Sequence, residues 1–306
     1  MNTIKFSKLE NITTEQHNLE VHSNKEIVLF GNKLNLYTPC NLNIFITNKC
    51  HSNCFFCINK DFSNSDINDD FYYFSLKETL STLNPKYTEI TITGGEPTIN
   101  MTRFINTLTM CNEMGFKFRT ISTTGLNLLK KYNQKELCQH MIEQNAVHNI
   151  NISRMSVSNN DEIFKSKNIT NKDISKLANF FYMHDAEMRI SCNLILGYVD
   201  SFEKMLDFVS YYEKLDVQTI MFRELVGCNN IKLNDIFKPN EDFLFIKTLH
   251  SESYNVNVYK YKNFLVKYYN AIPDNSNNIK TLSLRNGILA KNYSKIIKDF
   301  REDFYD

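Results

Sequence analysis

The chain has 306 residues, of which 42% are hydrophobic, so it can bury the core of one large domain. Its 35 basic residues nearly balance 34 acidic ones, and a net charge of +1 gives no electrostatic reason to expect binding to nucleic acid or an anionic membrane. No apolar run approaches the roughly 20 residues that span a bilayer, and the chain start lacks a signal peptide's apolar segment, so we expect a cytoplasmic protein whose cysteines need not pair.

Strand and helix signals alternate along most of the chain, as they do in parallel βαβ units wound into a barrel. A β-hairpin over residues 26–37 comes first, with its turn at Gly31-Asn32. Six strands follow, near residues 43–47, 88–93, 116–122, 149–154, 188–195 and 217–223. The predicted helices lie near residues 75–84, 102–114, 133–146, 171–184, 201–214 and 240–250, with Ser75 and Glu78 as a capping box for the first.

The last part of the chain predicts a different structure, rich in short strands. Residues 254–261 alternate, turn at Lys262-Asn263 and continue to residue 269, and a later pair of strands turns at Asn286-Gly287. We expect three regions: an extension over 1–42, a barrel of six βα units over 43–250, and a small β-rich appendage over 251–306 that closes its open side. The polar stretches 58–70 and 272–278 are predicted loops.

Three cysteines stand close together just after the first predicted barrel strand. Cys50, Cys54 and Cys57 have a spacing that suits three corners of an iron-sulfur cube and leaves the fourth iron open to a small molecule. Clustered cysteines also occur in zinc sites that recruit a histidine, and His51 lies beside them. From the cysteines alone, a cluster, a zinc site and a group of buried thiols all remain open.

A second motif follows one strand later. Residues 88–97 form an alternating β-rich segment that ends in Gly94, Gly95, Glu96 and Pro97. Glycines let the backbone come close to a ligand, and carbonyl groups at such a strand end can accept hydrogen bonds from an ammonium group. An ordinary strand-to-helix turn is the alternative, and the nearby cysteines favour the ligand site.

Together the two motifs resemble those of the radical S-adenosylmethionine (radical SAM) superfamily, which combines a CxxxCxxC loop with a Gly-Gly-Glu-Pro strand end. The aromatic Phe56 before the third cysteine fits as well. The resemblance implies one 4Fe-4S cluster on Cys50, Cys54 and Cys57, with S-adenosylmethionine on its free iron. Gly94 to Pro97 would hold the methionyl amine, and the family core is a partial barrel of six βα units.

Weaker resemblances place further residues at the cofactor. The turn Thr123-Thr124-Gly125 is similar to the family's Thr-Asn-Gly, with Thr124 where Asn is usual. Ser153 matches the Asn-Val-Ser segment of the molybdopterin cyclase type, with a hydrogen bond inside the barrel as the alternative. The cofactor residues implied are Phe56, Thr123, Thr124, Ser153, Arg189 or Ser191 for the carboxylate, and Ile195 for the adenine.

Charged residues also end the sixth strand. Arg223 and Glu224 would contact substrate or cofactor, because active sites of barrels lie at the C-terminal strand ends. An internal Arg–Glu ion pair is the alternative. The remaining cysteines are scattered and fit buried small hydrophobes better than a second cluster: Cys40, Cys111, Cys138, Cys192 and Cys228. The pattern is therefore nearest to the molybdopterin-cyclase and peptide-maturase group, but without their auxiliary-cluster cysteines.

The sequence thus predicts a radical SAM enzyme that takes a hydrogen atom from a peptide or a small metabolite. The resemblance also implies an external electron donor of the flavodoxin or ferredoxin type. Two alternatives stay open, a nucleotide-modifying enzyme of the same superfamily and a non-catalytic zinc or iron-sulfur binding protein.

Overall fold

The protein has a mixed α/β fold built on one large sheet. A computed structural model describes residues 23–57, 59, 65–145, 149–225, 231–250, 254–262, 264–271, 278–291, 293 and 295–305. Within these ranges, thirteen strands form a continuous mixed sheet, and a separate two-stranded ribbon lies beside it.

The strands are β1 (Ser23–Leu29), β2 (Asn32–Phe45), β3 (Thr88–Thr93), β4 (Lys117–Thr123), β5 (Lys131–Tyr132), β6 (Lys135–Glu136), β7 (Asn149–Ser153), β8 (Glu187–Asn193), β9 (Thr219–Arg223), β10 (Phe243–His250), β11 (Tyr254–Tyr261), β12 (Phe264–Ala271), β13 (Ile279–Arg285), β14 (Ile288–Lys291) and β15 (Lys295–Asp299). The helices are α1 (Asp69–Thr82), α2 (Met101–Glu113), α3 (Leu137–Glu143), α4 (Asn160–Phe164), α5 (Asn171–Met183), α6 (Phe202–Glu213), α7 (Leu233–Ile236) and α8 (Arg301–Tyr305), with a 3₁₀ turn at Pro97–Ile99.

The centre of the sheet confirms the predicted βα alternation. Strands β2, β3, β4, β7, β8 and β9 are neighbours in chain order, every adjacent pair is parallel, and helices lie between successive strands. The C-terminal strands add to both edges: β12 lies parallel to β9, and β13 lies parallel to β2. Within the described ranges the order runs from β10 to β15 without closing into a barrel.

Side chains alternate between two faces of these parallel strands. The core face carries apolar residues such as Leu42, Ile44, Ile90 and Ile92, which are fully buried in the main hydrophobic core together with residues of the helices. The opposite face is polar, and we define it by one residue from each strand: Asn43, Thr91, Arg119, Asn151, Arg189 and Arg223. Helices therefore cover the apolar face of the sheet, and the polar face is available to bind a ligand.

Several local predictions are wrong. Residues 243–250, expected in a helix, form β10, because pairing with β11 decides the conformation of a segment whose Asn-Glu-Asp start looks like a helix cap. The first helix begins at Asp69 rather than residue 75, capped by Asn68, whose side chain accepts from the amide of Phe71. Ser75 lies inside that helix, where its hydroxyl bonds the carbonyl of Tyr72.

Other local predictions are confirmed or only partly tested. The N-terminal hairpin is present, but its turn lies at Phe30-Gly31 rather than Gly31-Asn32, because Asn32 already pairs with Leu29. The hairpin of β11 with β12 and the turn at Asn286-Gly287 are present as predicted. The expected helix over 133–146 is shorter, because residues 131–136 form the β5–β6 ribbon before α3. Residues 58, 60–64 and 272–277 of the predicted loops lie outside the described residues. The division at residues 42 and 250 stays a prediction, and β2 runs across the first boundary.

Candidate active site

The cysteine loop follows β2 at the C-terminal end of the parallel strands. Cys50 in this loop is exposed, and Cys54 and Cys57 are partly exposed. The amide of Ser52 donates to Cys50 Sγ at 3.4 Å, and the amide of Asn59 donates to Cys57 Sγ at the same distance. Hydrogen bonds to sulfur of this kind accompany cluster ligands, whose potential they tune.

Electrostatics around Cys50 disfavour a bare thiolate. Partial burial of its sulfur raises the pKa of Cys50, although the residue as a whole is exposed, and the nearby Glu96 and Cys57 raise it further. A thiolate at this position therefore needs positive charge close by, which a bound metal centre supplies.

The glycine motif packs directly on the cysteine loop. The amide of Gly95 donates to the carbonyl of Thr47 at 2.8 Å, and the amide of Glu96 donates to the carbonyl of Lys49 at 2.9 Å. A Cβ at Gly95 would lie 2.2 Å from the Lys49 oxygen, and one at Gly94, whose φ is +152°, would lie 2.6 Å from the Thr47 oxygen. Only glycines allow this approach, so the two sequence motifs form one unit.

The carboxylate of Glu96 holds the neighbouring strand end. It is almost fully buried and accepts hydrogen bonds from the amide and hydroxyl of Thr98, from the hydroxyl of Thr123, and from the amide and hydroxyl of Thr124. The Thr124 hydroxyl also lies 3.3 Å from His51 Nε2. Glu96 therefore connects the ends of β3 and β4 to the cysteine loop.

An apolar cluster lies against the same loop. Ile195 packs with Met155, Ile163 and Phe164, and Cys54 and Phe56 contact the cluster from the loop. The rings of Phe56 and Phe164 lie 6.3 Å apart in an edge-on arrangement. The structure therefore brings Phe56 and Ile195, which are far apart in sequence, to one surface.

The predicted residues of β7 and β8 are neighbours. Ser153 pairs with Ser191 across the two strands. Arg189 is buried, where its Nε donates to Asn151 Oδ1 at 2.8 Å and a terminal nitrogen donates to the Thr120 hydroxyl at 3.3 Å. Burial lowers the pKa of Arg189 to about 10, opposed by Glu187 and reinforced by Arg223 and Arg119.

Arg223 and Glu224 have separate environments. Glu224 accepts from Lys232 Nζ at 3.0 Å and from the amide of Leu233 at 2.9 Å, at the start of α7. The guanidinium of Arg223 lies over the ring of Tyr269, 5.1 Å from its centroid. Glu224 lies just after the end of β9, and its carboxylate binds residues at the start of α7 while Arg223 faces Tyr269 on β12, so the two side chains have different partners.

Sequence reasoning missed a second set of residues around the loop. Arg285 at the end of β13 donates to Asn48 Oδ1 at 2.8 Å and to Asn59 Oδ1 at 3.2 Å. Asn59 in turn donates to the carbonyl of Gly94 at 2.9 Å. Asp66 accepts from the Thr47 hydroxyl and from the Asn48 amide. No local pattern marks these residues, because their partners are distant in sequence.

The donor set fits the group that the spacing predicts. Three cysteines lie on one short loop, two of them with amide donors to the sulfur, beside a backbone that approaches closely at Gly94 and Gly95. Across the described residues, no three Cys, His, Asp or Glu side chains lie close enough together to hold a metal ion. Cys40, Cys111, Cys138 and Cys192 are buried, as predicted, and Cys228 lies outside the described residues.

A family model described as a 4Fe-4S single cluster domain matches residues 40–172. That segment contains both motifs. No curated protein matches the sequence. Within the described residues, no helix combines the length and apolar character needed to cross a membrane.

Among solved structures, the chain is similar to SuiB of Streptococcus suis bound to S-adenosylmethionine, with 17% identity and a TM-score of 0.48 over 74% of this chain and 46% of that one. For the same protein bound to its precursor peptide SuiA, the identity is 18% and the TM-score 0.47, over 64% of this chain and 42% of that one. For native anSMEcpe with bound AdoMet and Kp18Cys peptide, the identity is 17% and the TM-score 0.43, over 63% of this chain and 55% of that one. The chain thus spans about half the length of these proteins.

Proposed function

We propose that this chain belongs to the radical SAM superfamily and is an enzyme that cleaves S-adenosylmethionine reductively and modifies a peptide or small-molecule substrate; the match to a 4Fe-4S domain over residues 40–172 supports it. The observation that carries the proposal is the direct packing of the Gly94–Gly95 backbone on the loop of Cys50, Cys54 and Cys57. A zinc-binding loop has no need for a close backbone approach of this kind.

In this proposal Cys50, Cys54 and Cys57 hold one 4Fe-4S cluster and leave one iron for the amine and carboxylate of S-adenosylmethionine. Once bound and reduced by an external donor, the cluster would supply the electron for reductive cleavage of a carbon–sulfur bond of S-adenosylmethionine, and with it the capacity to remove a hydrogen atom from the substrate. The protein contributes binding and orientation, because the radical chemistry belongs to the cofactor.

Each predicted contact has a task. The carbonyl of Gly94 accepts from the methionyl amine, in place of the hydrogen bond that Asn59 now donates to it. Glu96 and Pro97 keep that strand end in position. The apolar surface of Phe56 and Ile195 packs on the adenine. Polar groups at the ends of β4, β7 and β8 bind the ribose and the carboxylate: Thr123, Thr124, Ser153, Arg189 and Ser191.

An electron donor of the flavodoxin or ferredoxin type would approach the outer side of the cysteine loop. Cys50 is exposed there, and 47% of the surface of Phe55 is accessible. An exposed ring next to a ligand offers a partner both apolar contact and a short path for the electron. A cytoplasmic location, which keeps such donors reduced, belongs to the same proposal.

We infer in addition that the parallel strands curve into the partial barrel typical of the superfamily. Support comes from Tyr293 and Tyr269: burial of its hydroxyl, and next the neighbouring Tyr269, raise the pKa of Tyr293 to about 12. That hydroxyl accepts a hydrogen bond from Asn43 on β2, and five strands separate β2 from β12, which carries Tyr269. A flat sheet would hold β2 and β12 about 29 Å apart, too far for such an interaction.

Anaerobic reconstitution tests the proposal. We expect about four irons with matching sulfide per chain, and 5'-deoxyadenosine when dithionite and S-adenosylmethionine are added. Cys54→Ala should abolish both, whereas Cys138→Ala, at a buried cysteine outside the loop, should retain them. One zinc per chain, or equal product from wild type and Cys54→Ala, would exclude the proposed enzymatic function.

A further inference from the structure

The polar face carries more positive charge than the proposed function uses. Arg119, Arg189 and Arg223 contribute guanidinium groups from β4, β8 and β9. In addition to burial, the positive charges of Arg223 and Arg119 lower the pKa of Arg189. Lys267 on β12 adds an ammonium group. Like charges brought together on one face repel, so this arrangement costs stability in the absence of a ligand.

Acidic residues compensate only part of this charge. Glu187 lies 2.6 Å from Lys267, and both side chains are buried. Glu89 lies 3.9 Å from Arg119 at the partly exposed edge of the face. Within the described residues, no carboxylate pairs with Arg223, whose Nε donates only to the weak acceptor Met221 Sδ at 3.1 Å.

Aromatic side chains frame Arg223. Tyr269 on the adjacent β12 lies beneath the guanidinium, 5.1 Å away. The hydroxyl of Tyr293 accepts from Asn43 Nδ2 at 2.7 Å, and its ring lies edge-on to Phe45 at 6.3 Å. About half of the surface of Tyr293 is accessible, so the arrangement is open to a ligand.

Burial lowers the pKa of Arg223, and among the titratable groups around it Tyr269 and Tyr293 oppose this shift while Arg119 adds to it. An arginine stays protonated at neutral pH even so. A partly buried, protonated guanidinium without an acidic partner therefore leaves its fork of donors available to a planar or tetrahedral anion.

We propose that Arg119 and Arg223, framed by Tyr269 and Tyr293, bind an anionic group of the substrate, a carboxylate or a phosphate. This inference rests on the proposed function, because Arg223 is the last residue of β9 and so lies at the C-terminal end of the parallel strands, where the proposed cofactor site also lies. A substrate anchored there by its anion would extend its remaining atoms along the polar face towards the strand ends. The substrate class is thus an anionic molecule or a peptide segment with an acidic group.

Binding of two probes tests the inference: glutarate as the carboxylate and glycerol phosphate as the phosphate. Each is titrated calorimetrically, under anaerobic conditions, into reconstituted protein saturated with S-adenosylmethionine, so that the cofactor's own carboxylate site is filled. We expect saturable binding of at least one probe, and the probe that binds more tightly identifies the anion. Arg223→Gln should weaken it about tenfold or more, and Arg223→Lys should weaken it less.

Arg119→Gln provides a second variant in case Arg223→Gln does not fold. Arg301→Gln is the matched control, since Arg301 is exposed and paired with Asp299 outside the site, and it should bind like wild type. Failure of both probes to bind wild type, or unchanged binding by folded Arg223→Gln or Arg119→Gln, would overturn the inference. Formation of 5'-deoxyadenosine without substrate is measured in parallel, so that a failure of the proposed function is seen separately.

Discussion

Arg285 donates to the side chain of Asn48 across 237 residues of sequence, at 2.8 Å. The same guanidinium reaches Asn59 beyond the third cysteine and lies 4.9 Å from the ring centroid of Phe45. Residues on both sides of the cysteine loop are therefore held by one side chain of β13. Burial lowers the pKa of Arg285 to about 10, and the neighbouring Cys57 opposes that shift.

Arg285→Gln should loosen the cysteine loop without preventing folding. Mutation of residues that orient metal ligands without binding the metal themselves typically lowers metal affinity about 10- to 100-fold. We expect faster loss of iron to a chelator from the reconstituted variant, measured by the absorbance of the iron–chelator complex. Arg301→Gln changes the same residue type at an exposed position and should release iron like wild type. Equal rates for all three proteins would contradict a clamping role.

Gly95→Ala should separate the two motifs. The new methyl group would lie 2.2 Å from the carbonyl oxygen of Lys49, so the backbone must move. We expect a loss of about 3 kcal/mol or more in the free energy of unfolding, measured by denaturant titration of the apoprotein, and poor iron loading. At Gly115, φ is +79° and a Cβ would meet no atom within 4 Å. Gly115→Ala should therefore cost only about 1–2 kcal/mol and leave iron loading intact.

Glu96→Gln tests the buried carboxylate. An amide keeps the size of the side chain, but its nitrogen cannot accept the hydrogen bonds that Thr98 and Thr123 donate to one carboxylate oxygen, or those that Thr124 donates to the other. Hydrogen bonds to a charged group contribute about 1.5–3 kcal/mol each, so the loss of two of them should lower the free energy of unfolding by about 3–6 kcal/mol. Glu143→Gln, at an exposed ion pair with Lys135, should change it by no more than about 0.5 kcal/mol.

The buried pair of Lys267 and Glu187 should show strong coupling in a double-mutant cycle. Lys267→Met leaves a buried carboxylate without its ammonium partner, which typically costs about 3–5 kcal/mol. Adding Glu187→Leu removes that charge and should restore most of the free energy of unfolding. Additive losses in the two single variants and the double variant would show that the pair does not interact as the 2.6 Å contact implies.

The same pair predicts a pH dependence. Burial lowers the pKa of Lys267 from 10.5 to about 8, so between these values the unfolded chain binds a proton that the folded protein has released. Lys267 alone should then raise the free energy of unfolding with pH across this window, by up to about 1.4 kcal/mol per pH unit. Buried cysteines such as Cys40, Cys111 and Cys192 have raised pKa values and ionise only on unfolding, which lowers the free energy of unfolding as pH rises. The measurement is therefore the difference between the two proteins: in denaturant titrations between about pH 8 and 10, the slope of Lys267→Met should be more negative than that of wild type by up to that amount.

Local signals predicted the parts of the site that are contiguous in sequence. The loop of Cys50, Cys54 and Cys57 and the glycines before Glu96 were recognisable because a ligand set and a close backbone approach each demand specific residues at fixed spacing. Their contact also followed, because consecutive parallel strands place their C-terminal ends side by side. The strand β10 was not predicted, because its conformation depends on pairing with β11.

The sequence by itself determined the cysteine loop, the backbone motif beside it and the alternating strands and helices, since these depend on residue type and short-range periodicity. Only the tertiary structure decided which distant side chains complete the site. Arg285, Tyr269 and Tyr293 come from the C-terminal part of the chain, whose strands join opposite edges of the sheet. Strand pairing between segments far apart in sequence leaves no local pattern, so their meeting with Arg223 and the cysteine loop had to be seen in the fold.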